Sequence, residues 1–185
     1  MGSVLFVTGN KHKFQEAERV LKLCGVSIEH RNTSYPEIRA ENCEEIALNS
    51  AKELYEKLRK PLFVEDAGLF IEALNGFPGT YSAWVFKKLG IAGVLELMRG
   101  EKNRHAEFVS AVAYSDENGV KLFVGKCKGS IACEERGKGG FGFDPVFIPD
   151  GEKKTFAEEV ELKKCSHRTK AVAELGEWLK RRNKN

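Results

Sequence analysis

The sequence predicts an α/β protein in which helices flank a mixed β-sheet. In the first half of the chain, short apolar runs typical of buried strands alternate with longer segments whose apolar residues recur at helical spacing. In the second half, two strand-like segments flank Asn118-Gly119, a dipeptide that favours a tight hairpin turn. Strands joined by helices pair in parallel and hairpin strands pair antiparallel, so the two halves together predict a mixed sheet.

The first predicted elements are a strand, a turn and a helix. Val4–Val7 are four consecutive apolar residues, which suits a strand that is buried on both faces. A polar turn with one glycine follows. The apolar side of the next helix is formed by residues at helical spacing, namely Phe14, Ala17, Val20 and Leu21.

Two further elements precede the acidic residues Glu65-Asp66. Residues 26–30 predict a short strand, and residues 44–60 keep a helical stripe that ends at Pro61, which cannot continue a helix. Between them, Pro36 favours an extended or turning segment that carries Glu37. The next strand begins at once with Pro61 and is expected to end at Glu65-Asp66.

The second half of the chain predicts a turn at 76–79, helical segments at 84–89 and 91–98, and hairpin strands at 108–114 and 120–127. A glycine-dense loop at 137–142 leads into a predicted strand at 143–149. Ser166 is expected to cap the last helix.

Composition limits the function classes. The 185 residues fit a single domain, residues 1–185, that consists of two lobes. A net charge of +3 is too small for a dedicated nucleic-acid binder, and no apolar run reaches the ~18 residues of a membrane span. The five cysteines form no C-x-x-C pair, which favours buried, reduced thiols over disulfides or a zinc site. We therefore expect a cytoplasmic protein with neither a nucleic-acid nor a membrane partner.

The first polar turn, Thr8–Lys13, is a candidate phosphate-binding loop. A helix that begins there directs its unpaired N–H groups and its positive dipole end at the turn. Gly9 allows close approach of an anion, Thr8 and Asn10 offer hydrogen bonds, and Lys11 and Lys13 add positive charge. The spacing fits neither the P-loop nor the Rossmann pattern, so an ordinary connection with solvated lysines is the competing interpretation.

Three more polar clusters lie at the ends of apolar runs. Glu37 and Asp66 are hard oxygen ligands of the kind that hold Mg²⁺ beside phosphate, although a solvated Glu37 and a turn-forming Asp66 are the simpler interpretations. The loop ending in Phe141, Gly142, Phe143 and Asp144 could stack aromatic rings on a planar base, or form a bulged turn with two core aromatics.

The last cluster places two basic residues in the first turn of a helix. His167 and Arg168 oppose the helix dipole there, which indicates that an anion or a base carbonyl offsets their charge. Together the four clusters predict a nucleoside triphosphate site.

On these residues the sequence resembles the inosine triphosphate pyrophosphatases. The likeness runs from Val4 to about Leu179 and rests on five ordered motifs. These are Thr8-Gly9-Asn10-Lys11-His12-Lys13, Val64-Glu65-Asp66-Ala67-Gly68-Leu69, Phe77-Pro78-Gly79-Thr80-Tyr81-Ser82, Gly140-Phe141-Gly142-Phe143-Asp144-Pro145 and Ser166-His167-Arg168.

The resemblance implies a Mg²⁺-dependent enzyme that hydrolyses unusual purine nucleoside triphosphates, ITP, dITP and XTP, to the monophosphate and pyrophosphate. It also implies an elongated, two-lobed α/β homodimer with the active-site groove between the lobes. A non-catalytic nucleotide sensor and a pyrophosphatase for modified pyrimidine triphosphates are the alternatives.

The resemblance also assigns site residues. Asp66 and Lys13 are the expected catalytic residues, and Glu37 and Asp66 the expected metal ligands. The expected substrate-binding residues are Thr8, Gly9, Asn10, Lys11, His12, Lys13, Ala67, Phe141, Gly142, Phe143, Asp144, Lys164, His167 and Arg168. Lys163 and Lys164 both remain open as the lysine that precedes Ser166, with Lys164 preferred. A backbone N–H or Arg168 is expected to donate to O6 of the purine.

Overall fold

The computed structural model describes residues 3–182, except the side chains at positions 160 and 162. The predicted domain of residues 1–185 therefore extends beyond the described residues by two positions at the start and three at the end. Within the described range the elements are β1 Val4–Val7, α1 Lys11–Leu23, β2 Ile28–Arg31, α2 Cys43–Leu58, β3 Leu62–Ile71, β4 Pro78–Gly79, α3 Ser82–Leu97, β5 His105–Asp116, β6 Gly119–Ile131, β7 Phe147–Pro149 and α4 His167–Arg182. Short 3₁₀ turns cover Glu72–Leu74, Asp144–Val146 and Val160–Cys165.

The strands form a mixed sheet in the order β2-β1-β3-β5-β6-β7, with β4 paired to β3. β1 pairs in parallel with β2 and β3, as expected for strands joined by helices. The β3–β4 and β6–β7 pairs are antiparallel. The predicted α/β fold with a mixed sheet and flanking helices is confirmed.

The chain divides into two compact units. Unit 1 contains residues 3–66, 110–125 and 167–182 of the described range, and its core packs apolar residues of β1, α1 and α4 around Phe6 and Phe63, whose rings stack at 4.3 Å. Unit 2 contains Ala67–Val109 and Lys126–Ser166, and its core gathers the phenylalanines Phe108, Phe147 and Phe156.

β3 is longer than the sequence predicts. The acidic pair Glu65-Asp66 was expected to end the strand, but β3 continues to Ile71, so Asp66 lies in the middle of a strand. The strand tolerates the buried carboxylate of Glu65 because Arg168, which is distant in sequence, forms an ion pair with it.

Two later predictions are corrected or refined. The predicted strand at 143–149 begins only at Phe147, because Asp144–Val146 form a 3₁₀ turn in which Pro145 has no N–H to donate to a sheet. The two helical segments near Gly90 are one helix, α3, interrupted at Gly90, whose φ of 65° is readily adopted only by glycine.

All five cysteines are free thiols, as predicted. Cys43 and Cys127 are buried as expected, but the prediction of burial is wrong for Cys133 and Cys165, which are exposed. Across residues 3–182, every helix is too short or too polar to span a bilayer.

Candidate active site

The turn between β1 and α1 is organised by two polar side chains. Asn10 caps α1, since its Oδ1 accepts hydrogen bonds from the N–H groups of His12 at 3.0 Å and Lys13 at 3.2 Å. Thr8 is buried, and its Oγ1 accepts from the N–H of Asn10 at 3.1 Å. These hydrogen bonds fix Asn10 and the start of α1 without any ligand.

The same turn leaves two backbone donors available. Within the described part of the chain, the N–H groups of Gly9 and Lys11 have no hydrogen-bond partner, and both residues are exposed. His12 is also exposed, at the second position of α1. Unpaired N–H groups at a helix start, with the positive dipole end and Lys11 beside them, form an anion-binding seat.

Lys13 connects this seat to the acidic strand β3. Its Nζ donates a hydrogen bond to the backbone oxygen of Glu65 at 3.1 Å and lies 3.9 Å from Glu65 Oε2. The ammonium group is therefore held beside the acidic residues of β3.

Glu65 is the centre of a buried ion network in unit 1. Both of its carboxylate oxygens accept from Arg168 Nε, at 2.8 and 2.9 Å, and Oε1 also accepts from the Ser110 hydroxyl at 2.7 Å. Burial would raise the pKa of Glu65, but the charges of Arg168 and Lys13 and the hydrogen bonds from Arg168 and Ser110 outweigh it and lower the pKa. Glu65 is therefore ionised and rigidly placed.

Arg168 is not positioned as the sequence suggested. Its guanidinium is buried, and Nη1 donates to Glu16 while Nε binds Glu65. The anions that offset its charge at the start of α4 are thus these two carboxylates of the protein itself. Burial disfavours the charged form, but Glu65 and Glu16 raise the pKa of Arg168 above its ordinary value.

Asp66 differs from Glu65 in its surroundings. Its Oδ2 is buried and has no hydrogen-bond partner among the described residues. Burial raises the pKa of Asp66 to about 6; Lys13 and a hydrogen bond from Cys43 lower it, and the charges of Glu37 and Glu65 raise it further.

Glu37 lies in the exposed segment before α2, close enough to Asp66 for its charge to raise the Asp66 pKa. Tyr35 is part of the same cluster: burial, followed by the charges of Glu37 and Asp66, raises the pKa of its hydroxyl. Burial and the charge of Asp66 likewise raise the pKa of the Cys43 thiol. The Tyr35 hydroxyl and the Cys43 thiol are therefore neutral neighbours of Glu37 and Asp66.

Glu37 and Asp66 together fit a divalent cation. In residues 3–182 no three His, Cys, Asp or Glu side chains are grouped as a complete metal site. However, Glu37 and Asp66 repel each other, and Asp66 Oδ2 is a buried acceptor without a donor. Mg²⁺ commonly takes only one or two protein carboxylates and completes its coordination with water and phosphate oxygens, so these residues suit it.

The predicted base-binding loop forms a separate cluster in unit 2. Asp144 is buried, and its Oδ2 accepts from the N–H of Phe141 at 2.8 Å and from Lys163 Nζ at 2.9 Å. Lys163 Nζ also lies 4.8 Å from the centre of the Phe141 ring. Lys164, the preferred substrate-binding lysine from the sequence, instead pairs with Glu161 on the surface. The structure thus favours Lys163 over Lys164.

The remaining predicted residues differ in exposure. Phe143 is buried in the core of unit 2 and packs edge-on against Phe86 at 5.3 Å, as in the alternative interpretation of a core aromatic. Gly142 and Ala67 are half-buried, and His167 is buried at the first position of α4.

Sequence reasoning missed Glu16 and Ser110 in the network around Glu65, and Tyr35 beside Asp66. Glu16 lies three residues after Lys13, so both project from similar faces of α1, and this spacing was the only available signal. Ser110 is one polar residue within an apolar strand, and Tyr35 precedes a proline in an irregular segment. Neither Ser110 nor Tyr35 belongs to a recognisable pattern.

A mixed α/β sheet with an anion seat at a helix start, beside a carboxylate that has one unpaired oxygen, is typical of proteins that bind phosphate-containing ligands. The Ham1 family matches residues 4–178 of the chain. The chain belongs to the Ham1 family, which confirms the resemblance found in the sequence.

Two relatives are similar over nearly their whole length. The dITP/XTP pyrophosphatase of Methanopyrus kandleri is 51% identical over 180 residues, covering 96% of each chain. The dITP/XTP pyrophosphatase of Thermococcus kodakarensis is 49% identical over 177 residues, covering 95% of this chain and 96% of the relative.

Solved structures share the fold. The Ham1 protein of Staphylococcus aureus has a TM-score of 0.82 at 25% identity, covering 97% of this chain and 100% of the other. The HAM1 protein of Coxiella burnetii has a TM-score of 0.84 at 29% identity, covering 98% of this chain and 100% of the other.

Proposed function

We propose that this protein hydrolyses dITP, ITP and XTP to the nucleoside monophosphate and pyrophosphate. The observation that carries the proposal is the arrangement in unit 1 of the Gly9 and Lys11 amides, the Lys13 ammonium and the unpaired Asp66 oxygen. Two relatives about half identical to this chain bear the name dITP/XTP pyrophosphatase, and this supports the same substrate class here.

The triphosphate binds at the Thr8–Lys13 turn. The Gly9 and Lys11 amides donate hydrogen bonds to phosphate oxygens, and the positive end of the α1 dipole attracts the phosphate charge. Asn10 keeps the turn in shape, and Lys13 neutralises charge on the leaving pyrophosphate. His12 lies at the exposed edge of this seat. Positive charge here counteracts the charge that develops on the phosphate oxygens during bond cleavage.

Asp66 orients and deprotonates the water that attacks the α-phosphorus. Without metal, a pKa near 6 leaves the carboxylate largely ionised at neutral pH yet more basic than an ordinary aspartate. Glu37 and Asp66 would hold Mg²⁺, which would supply positive charge to neutralise the phosphate oxygens. Glu65, fixed by Arg168 and Ser110, keeps Lys13 in place through its backbone oxygen.

The base is bound by the cluster around Phe141, Gly142 and Asp144 in unit 2. We assign the donor to purine O6 to Lys163 rather than to Arg168, because two carboxylates already hold Arg168. An amino group at the same position, as in adenine, would leave that donor unpaired.

A substrate panel tests the proposal. Purified protein with Mg²⁺ is given dITP, ITP, XTP, GTP, ATP and modified pyrimidine triphosphates, and pyrophosphate release is measured together with monophosphate formation. We expect equal amounts of both products, with dITP, ITP and XTP preferred over the other nucleotides of the panel. Binding without pyrophosphate release would indicate a nucleotide sensor, and turnover of only the pyrimidines would indicate the other enzyme class.

The protein is further proposed to act as a homodimer. The segment from Phe77 into α3 exposes several large apolar side chains, among them Tyr81, Leu89 and Trp84, which is 60% exposed. Such a patch suits a self-complementary contact between two copies. Sedimentation of the wild type and of Trp84→Glu tests this, with a dimer and a monomer as the expected species. Five free thiols support a reducing compartment, the cytoplasm, as the place of action.

A further inference from the structure

A histidine outside the predicted site contacts the phosphate-binding turn. His30, on β2, has its Nε2 2.9 Å from the backbone oxygen of Thr8. A carbonyl oxygen only accepts hydrogen bonds, so Nε2 carries the proton and donates it. The imidazole is also stacked on the Phe14 ring of α1, with ring centres 4.3 Å apart and planes at 13°. The ring is thus held from two directions.

The Thr8 oxygen belongs to the same peptide group as the Gly9 N–H. That group is planar and trans, so its C=O and N–H point in opposite directions. Holding the Thr8 oxygen against His30 therefore directs the Gly9 N–H away from β2. The Gly9 N–H is one of the two amides that the turn leaves without a partner.

The peptide needs an external restraint because glycine imposes little of its own. Gly9 can adopt both signs of φ, so the Thr8–Gly9 peptide can rotate to present its oxygen in place of its N–H. The surroundings of Gly9 are open, since a Cβ built there would meet the Thr33 oxygen at 4.0 Å and nothing nearer. A carbonyl oxygen turned toward the seat would repel a phosphate.

We propose that His30 is a positioning residue that locks the Thr8–Gly9 peptide with its N–H available to phosphate. The inference rests on the proposed binding of a triphosphate at this turn. His30 acts through the backbone, and Phe14 keeps its ring aligned.

The test compares three variants by calorimetric titration with inorganic tripolyphosphate in the presence of Mg²⁺. His30→Leu removes the donor, and we expect the affinity to fall by about 3- to 10-fold, the value of one net hydrogen bond. His30→Gln retains an N–H donor at a similar reach and is expected to bind nearly as the wild type does. His105→Leu, at an exposed histidine of β5, is the matched control and is expected to change nothing.

Steady-state kinetics with dITP provide the second measurement. We expect His30→Leu to raise KM with kcat unchanged, a split that general loss of structure does not produce. Unchanged tripolyphosphate affinity in His30→Leu, equal weakening in His30→Gln, or equal weakening in His105→Leu would each overturn the inference. If the variants bind as expected while the wild type hydrolyses no nucleotide, the proposed function fails and the role of His30 stands.

Discussion

Replacing Asp66 by Asn should have opposite effects on activity and on stability. If Asp66 is the base that activates water, Asp66→Asn should lower kcat for dITP by about 10²- to 10⁴-fold. Binding of tripolyphosphate at the Thr8–Lys13 turn should survive, because Asp66 contributes no donor to that seat. Stability should rise, since Asn resembles the neutral acid and removes repulsion from Glu37 and Glu65.

The size of the stability change follows from the pKa. The Asp66 pKa rises from 3.8 to about 6, so the folded state holds its proton over a pH range in which the unfolded chain has released it. Stability of the wild type therefore falls as the pH rises from about 4 to 6, and the loss is complete above pH 6. About 2 pKa units correspond to about 3 kcal/mol, or an unfolding temperature higher by up to roughly 6–12 °C in Asp66→Asn.

The assay combines initial rates with thermal unfolding in EDTA between pH 4 and 8. Asp150→Asn, at an exposed aspartate after β7, is the control for a change of one charge and should alter neither measurement. Turnover of Asp66→Asn within about tenfold of the wild type would refute the role of Asp66 as base. A lower unfolding temperature at pH 8 would refute the electrostatic argument.

Three further substitutions test other parts of the site. Glu65→Gln leaves the buried Arg168 without half of its charge compensation, and we expect urea titration to show a loss of about 3–5 kcal/mol in the free energy of unfolding; a loss under about 1 kcal/mol would contradict a buried pair. Lys163→Ala should raise KM for dITP by about 10-fold or more, whereas Lys164→Ala should not, and equal effects would reject our choice between them. Glu37→Gln should raise the Mg²⁺ concentration for half-maximal turnover by about tenfold while leaving unfolding in EDTA nearly unchanged, and an unaltered Mg²⁺ requirement would exclude Glu37 as a ligand.

Local spacing was enough to predict the order of elements and the polar turn between β1 and α1. The strand β1, the capped start of α1 and the hairpin at Asn118-Gly119 depend on neighbouring residues, whose periodicity and turn preferences are visible in the chain itself. The break in α3 at Gly90 was visible for the same reason. These features form within a few residues of one another, so sequence alone determines them.

For the predicted base-binding loop, local spacing could not show which aromatic residue is buried or which lysine pairs with Asp144. Phe141 and Phe143 are two residues apart and chemically identical, yet Phe143 enters the core beside Phe86 while Phe141 lies under Lys163. Lys163 and Lys164 are adjacent, and only Lys163 reaches Asp144. Which of two similar neighbours meets a partner depends on where a distant segment packs.

The acidic strand shows the same division most clearly. Sequence alone determined that an acidic pair follows an apolar run, and it therefore indicated a metal site and a strand end. Tertiary structure decided that Glu65 is a buried anchor, because Arg168 reaches it from 103 residues away and Lys13 from 52 residues away. Only that packing makes a buried charge tolerable in mid-strand and leaves its neighbour Asp66 with an unpaired oxygen, since charge compensation depends on distance in space and not on distance along the chain.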